Sequence, residues 1–159
     1  MELAKTLRNM SEKQKFSVIV FDGRSAKEVP PAGLRRATAD AKAKTIAWLQ
    51  DTNNVKTFGT GDVVKALKLA FQRRPELIFL LSQNLYNPGR GQYEIQREEI
   101  LQAVQRAAKP NLAINTIEFN DIDQLALDAQ GNKVRPTLMQ QIAQITGGQY
   151  KWHVTNAVE

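Results

Sequence analysis

The chain has no cysteine among its 159 residues and a single histidine, His153. Disulfide frameworks, thiolate metal sites and cysteine nucleophiles are therefore excluded, and one histidine cannot build a multi-histidine metal centre. Aromatic residues make up only 7% of the sequence, and no apolar run approaches the roughly 18 residues of a membrane span. Since neither such a span nor a charged-then-apolar leader is seen, we expect no membrane contact and favour a cytoplasmic location.

The rest of the composition is typical of one folded domain over residues 1–159. Apolar residues make up 42% of the chain and charged residues 24%, which is enough apolar surface for a core and rules out a disordered chain. A length of this size also falls within the usual range of about 100–200 residues per domain.

Positive charge is concentrated in the first half of the chain. Residues 1–74 carry 15 basic and 7 acidic groups, whereas residues 75–159 carry 7 basic and 9 acidic groups. Arg35, Arg36, Lys42 and Lys44 form one basic group, which indicates an alternative function as a surface that binds nucleic acid or another polyanion. No aromatic stacking residues are interleaved with them, so a solvated helix face is favoured over this alternative.

Apolar strands alternate with amphipathic helices along the sequence. Strands are predicted over residues 16–21, 77–82, 113–119 and 150–154, and helices over residues 2–14, 32–50, 63–73, 93–108 and 136–145. This order predicts an α/β fold with a doubly wound, mostly parallel sheet and helices on both faces. Ligands of such sheets bind beyond the carboxyl ends of the strands, where this chain carries Asp22, Ser82 and Asn120.

Several segments, in this order, resemble the von Willebrand factor A (vWA) domain as found in bacterial proteins. They are FSVIVF at 16–21, PPAGLRRATADAKAKTIAWLQ at 30–50, FGTGDVVKALKLAF at 58–71, PELIFLLSQN at 75–84, INTIEF at 114–119 and IAQITGGQYKWHV at 142–154. The resemblance implies a Rossmann-like, doubly wound α/β sheet with one antiparallel edge strand. It also implies a partner bound through a divalent cation at the carboxyl edge, as in many members of the family.

The metal site of that family is degenerate in this chain. Its first, central strand ends in an Asp-x-Ser-x-Ser motif, and this chain starts in what resembles the following helix, without that strand or its ligands. The family's threonine ligand maps onto Thr60, and its later acid maps onto the amide Gln83. Since Mg²⁺ prefers about six oxygen ligands including a carboxylate, we expect no cofactor and no metal unless another chain supplies acids beside Thr60.

The absent central strand would separate the strand over residues 16–21 from the strand over residues 77–82. Three arrangements follow: the two strands pair directly, another chain inserts a strand or shares the sheet, or the sequence is a fragment of a longer protein. Open apolar edges favour an oligomer.

The sequence predicts a non-enzymatic module for protein–protein interaction or self-assembly. Its predicted partner-binding residues follow the strands at the carboxyl edge: Thr60, Gln83, Asn84, Tyr86 and Arg90. An enzyme is not expected, because no nucleophile elbow, phosphate loop or paired-carboxylate motif is complete.

Overall fold

The computed structural model describes residues 2–22, 25–55, 62–82, 85–86, 91–108, 110–119 and 126–153. Five helices and seven strands lie in these ranges, in the order α1 Glu2–Asn9, β1 Lys15–Phe16, β2 Ile19–Phe21, β3 Ala26–Glu28, β4 Arg35–Arg36, α2 Ala39–Gln50, α3 Val63–Gln72, β5 Leu77–Ser82, α4 Tyr93–Ala107, β6 Ala113–Phe119, α5 Leu138–Thr146 and β7 Tyr150–His153. None of the helices in these ranges has both the length and the apolar character of a membrane span.

The α/β class is confirmed, with a parallel sheet in the second half of the chain. β5, β6 and β7 form a three-stranded sheet in that order, and both pairings are parallel. The register pairs Phe79 with Asn115 and Ile117 with Lys151. The larger hydrophobic core joins α3, α4 and α5 to one face of this sheet, through Leu80 and Ile114.

The first half of the chain forms two small antiparallel pairs. β1 pairs with β4, and β2 forms a hairpin with β3. A second hydrophobic core lies between these strands and the first two helices. Its buried members are Ala4, Leu7, Phe16, Val18, Val29, Ala37 and Ile46.

The hairpin lies between α2 and α3. Neighbouring residues of a strand point to opposite faces, and on β3 Lys27 places its amine 5.4 Å from the ring centroid of Trp48 in α2. Glu28, the next residue, accepts hydrogen bonds from Arg73 at the end of α3, the shortest at 2.6 Å. Burial alone would raise the pKa of Glu28, but hydrogen bonds from Arg73, Ser17 and Gly33 lower it below its usual value.

Helix ends follow local side-chain chemistry. Asp62 caps α3, since its carboxylate accepts from the backbone N–H of Lys65 at 3.2 Å. Thr137 and Gln140 form a capping box at the start of α5, and Gly147 ends that helix with φ of 68°.

Several boundaries predicted from the sequence are wrong. The helix predicted over residues 2–14 ends at Asn9, and the helix predicted over residues 136–145 begins at Leu138, after the Thr137 cap. The helix predicted over residues 32–50 begins only at Ala39, because Arg35 and Arg36 pair with β1 and Thr38 supplies the N-cap. The strand predicted over residues 16–21 is divided between β1 and β2, which belong to different sheets.

Direct pairing of that segment with the LIFLLS strand is also wrong. Within the described residues β2 pairs with β3 and β5 pairs with β6, and no pairing joins β2 to β5. The doubly wound arrangement of one continuous sheet therefore stays a prediction.

Candidate interaction surface

Four of the five predicted partner-binding residues, Thr60, Gln83, Asn84 and Arg90, lie outside the described residues. The fifth, Tyr86, is half-buried and packs edge-to-face on Tyr93 at the start of α4, with ring centroids 5.4 Å apart. The structure therefore places only one residue of this predicted loop site.

Two aspartates, Asp22 and Asp62, are used in local turns and caps. The carboxylate of Asp22 accepts from the backbone N–H of Ser25 at 2.8 Å, and the Asp22 carbonyl accepts from the backbone N–H of Asp62, also at 2.8 Å. Asp62 is 4% exposed and lies 3.4 Å from the amine of Lys65. Within the described ranges, no three His, Asp or Glu side chains come together in a way that could hold a metal ion.

The basic residues of the alternative polyanion site lie on β4 and α2: Arg35, Arg36, Lys42 and Lys44. Arg35 points inward. Its guanidinium donates to the carbonyl oxygen of Pro31 and, at 2.8 Å, to the hydroxyl of Thr45, while its central carbon lies 5.0 Å from the Phe16 ring centroid. This side chain holds β4 against α2 and β1.

Both lysines of this group also make intramolecular contacts. Lys42 donates to the carbonyl oxygens of Arg8 at 3.3 Å and Met10 at 2.9 Å, where a cation stabilises the C-terminal end of α1. Lys44 pairs with Asp40 at 2.8 Å on the exposed surface of α2. Arg36 is exposed. The four residues thus do not form one cationic cluster facing solvent.

The most distinctive surface of the described chain is one face of the three-stranded sheet. Side chains alternate between faces, and the pairing register assigns nine described positions to the face turned away from α3–α5. We call it the open face; its residues are Leu77, Phe79, Leu81, Ala113, Asn115, Ile117, Phe119, Lys151 and His153. None of the nine is buried.

Two apolar side chains of the open face are exposed to a degree unusual for a parallel sheet. Leu77 is 45% exposed and Phe79 is 46% exposed, whereas Leu80, which points to the opposite face of the same strand, is 5% exposed. Parallel sheets are normally covered on both faces, so these side chains indicate a missing cover.

A basic border flanks the apolar part of the open face. Lys151 is paired with Ile117, and His153 with Phe119, so both polar residues lie on this face of β7. The rings of His153 and Phe119 meet edge-to-face with centroids 5.6 Å apart. Both β7 residues are exposed, and none of the nine open-face residues is acidic.

The opposite, covered face carries a buried polar network instead. Glu118 is 1% exposed, and its carboxylate accepts from the hydroxyls of Thr137 at 3.0 Å and Tyr150 at 2.8 Å. Thr116, beside it, donates to the carbonyl oxygen of Met139 at 2.9 Å. Burial, together with the hydrogen bond to Glu118 and its charge, raises the pKa of Tyr150 to about 12. This network fastens α5 to β6 and β7.

Sequence reasoning misses Leu77 and Phe79 as surface residues. The LIFLLS run is typical of a strand covered on both faces, so its composition conceals that one face is open. The polar alternation of Lys151 and His153 along β7 is the signal that points to this face, because it predicts one polar side of the sheet, although Trp152 on the opposite face is also 48% exposed.

No family model matches the chain, and no curated protein matches it. Among solved structures, the conserved hypothetical protein BatB from Bacteroides thetaiotaomicron is similar to this chain, with a TM-score of 0.62 and 14% sequence identity over 97% of this chain and 77% of that chain. An uncharacterized membrane spanning protein from Vibrio fischeri gives a TM-score of 0.34 at 16% identity over 96% of this chain and 74% of that chain, too low to support a structural argument. The likeness to BatB shows a shared fold.

Proposed function

We propose that this chain is a non-enzymatic protein-interaction module that contacts its partner through the open face. One observation carries the proposal: Leu77 and Phe79 are nearly half exposed on a parallel sheet whose other face packs against three helices, with Trp152 of β7 as its exposed large apolar residue among those described. Leaving apolar surface of this kind in water is unfavourable by about 25 cal/mol per Å², so association that covers it is favoured.

The module is of the vWA-like type. The order of the sequence segments and the fold shared with BatB support this assignment. The degenerate metal site belongs to the same proposal, as does oligomerisation through strand edges. In the described chain β2 and β5 each pair on one side only, which leaves an edge of each strand available for another chain.

The polar side chains near the sheet support binding rather than catalysis. Asp62 caps a helix, Glu118 fastens α5 to the sheet, and Glu28 holds the hairpin to α3. Each of these carboxylates stabilises the fold of the chain, so we assign none of them to a reaction.

Binding of nucleic acid remains the rival function. The inward contacts of Arg35 and Lys42 do not favour it. If the chain binds neither DNA nor RNA at physiological salt, the protein-interaction function is the one that stands. Nucleic-acid binding that persists at this salt concentration and depends on Arg36 would overturn it in favour of the rival function.

The experiment compares three forms of the chain as bait for partner proteins. These are the wild type, a Leu77→Ser/Phe79→Ser variant and an Ile95→Ser control, since Ile95 is 66% exposed on α4 but lies outside the open face. Captured proteins are purified and their binding is measured again with the three forms, and sedimentation velocity is run in parallel to detect self-association.

We expect a protein, or a second copy of the chain, that binds the wild type and the Ile95→Ser control with equal affinity. The double variant should bind it at least ten-fold more weakly. Equal binding by all three forms would overturn the open face as the site. Circular dichroism of the variants checks that they are folded.

A further inference from the structure

We infer that the open face binds an amphipathic α-helix of a partner protein whose acidic side lies along β7. This inference rests on the proposed interaction function and specifies the chemistry of the partner.

The topology explains why, among the described helices, α4 and α5 lie on the covered face and not on the open face. The chain passes from β5 to β6 through α4 and from β6 to β7 through α5, and both steps run in the same direction across the sheet. Two right-handed crossovers in one direction place their helices on the same face. Residues of α4 and α5 accordingly share one core with Leu80 and Ile114 of the covered face. The usual second layer of such a sheet is also made of helices.

The dimensions fit a single helix. The apolar open-face residues lie on β5 and β6: Leu77, Phe79, Leu81, Ala113, Ile117 and Phe119. Neighbouring strands are about 4.8 Å apart and a helix is about 10 Å wide, so one helix over β5 and β6 covers this apolar area and places its flank beside β7. Strands of six and seven residues are about 20 Å long, which corresponds to a helix of roughly 13 residues.

The border determines the charge of that flank. Lys151 and His153 lie beside Ile117 and Phe119 on the open face, both are exposed, and no acid shares the face with them. A helix with Glu or Asp on the side that meets β7 is electrostatically complementary, whereas a Lys-bearing flank would be repelled.

A second copy of this chain is a poorer occupant. Among the described helical residues, the only large apolar side chain that is exposed is Ile95 of α4, at 66%. One isoleucine does not fill an area lined by six apolar residues, which favours a helix from a different protein over a described helix of a second copy.

The test uses two synthetic 14-residue helical peptides with the same leucine stripe. One carries glutamates along one flank of the stripe, and the other carries lysines at the same positions. Binding of each labelled peptide to the wild-type chain is measured by fluorescence anisotropy. A Lys151→Glu/His153→Glu variant is compared with a Lys68→Glu/Gln72→Glu control on the exposed side of α3, because both pairs change the net charge by the same amount when His153 is neutral.

We expect the glutamate peptide to bind the wild type and the α3 control at least ten-fold more tightly than the lysine peptide. The β7 variant should reverse this preference, and Leu77→Ser/Phe79→Ser should abolish binding of both peptides.

Three results would overturn the inference, and they leave different accounts standing. If the two peptides bind equally and the Lys151→Glu/His153→Glu variant does not change this, the partner helix does not need an acidic flank. If neither peptide binds, but a captured partner still requires Leu77 and Phe79, the partner segment is not a helix of this kind and the proposed function is retained. A wild-type dimer that dissociates in the Leu77→Ser/Phe79→Ser variant would make a second copy the occupant.

Discussion

The two faces of the three-stranded sheet are built from the same strands but differ in what covers them. On the covered face Leu80 and Ile114 are at most 5% exposed beneath α3, α4 and α5. On the open face Leu77 and Phe79, which alternate with Leu80 along β5, are nearly half exposed. The difference comes from the path of the chain, because both crossover helices lie on one side. An apolar strand therefore predicts that the strand belongs to a parallel sheet. Which element packs on each face of that sheet depends on the topology of the chain.

The largest effect that separates the faces is expected from a matched pair of leucines in β5. Leu80→Ala should lower the free energy of unfolding by about 3 kcal/mol, because it creates a cavity beneath the helices. Leu77→Ala removes a side chain that is 45% exposed and should cost about 1 kcal/mol or less. Urea unfolding followed by circular dichroism measures both. Equal losses would mean that the open face is covered within the chain.

A smaller effect is expected from the polar groups of the two faces. Glu118→Ala leaves the hydroxyls of Thr137 and Tyr150 without their buried acceptor and should cost about 2 kcal/mol. Asn115→Ala removes an acceptor for the backbone N–H of Gln149 on the open face, where water can replace it, and should cost about 0.5 kcal/mol. The comparison fails if Asn115→Ala costs as much as Glu118→Ala in the same unfolding assay.

The smallest effect concerns alkaline pH and acts only on the covered face. The pKa of Tyr150 is raised to about 12 in the folded chain, against about 10 for an unfolded tyrosine. Above pH 10 the unfolded state loses this proton while the folded state retains it, so stability should fall between about pH 10 and pH 12. Tyr150→Phe should remove that part of the decrease, as measured by urea midpoints at pH 8, 10 and 11. A Tyr86→Phe control should retain it, and an unchanged pH profile in Tyr150→Phe would contradict the assignment.

The sequence predicts the second half of the chain closely. The predicted strands over residues 77–82 and 113–119 coincide with β5 and β6, and capping by Thr137 and Gly147 sets the ends of α5. These features depend on apolar runs and on local capping chemistry, and both are determined by residues that are close together in the sequence.

The first half is predicted less well because pairing between distant residues decides it. Arg35 and Arg36 continue a helical pattern in sequence, yet they pair with Phe16 and Lys15 as a strand. The helix predicted over residues 2–14 ends at Asn9, and Lys15 already pairs with Arg36 as part of β1. In both places a non-local pairing overrides the local periodicity.

The candidate site is the feature that the sequence predicts least. Periodicity assigns Leu77 and Phe79 to a strand, but it does not show that α4 and α5 leave one face of the sheet without a cover. Only the polar alternation of Lys151 and His153 indicates an exposed face, and linking it to β5 requires the register of the sheet.

The most direct measurement follows the leucine methyl groups by NMR while the glutamate-flanked peptide is added to the wild-type chain. We predict that the methyl signals of Leu77 and Leu81 shift as the peptide binds, while those of Leu80 and Leu101, which are buried in the larger core, stay in place. Binding that shifts Leu80 or Leu101 and leaves Leu77 and Leu81 unchanged would contradict the claim that the open face is the docking surface.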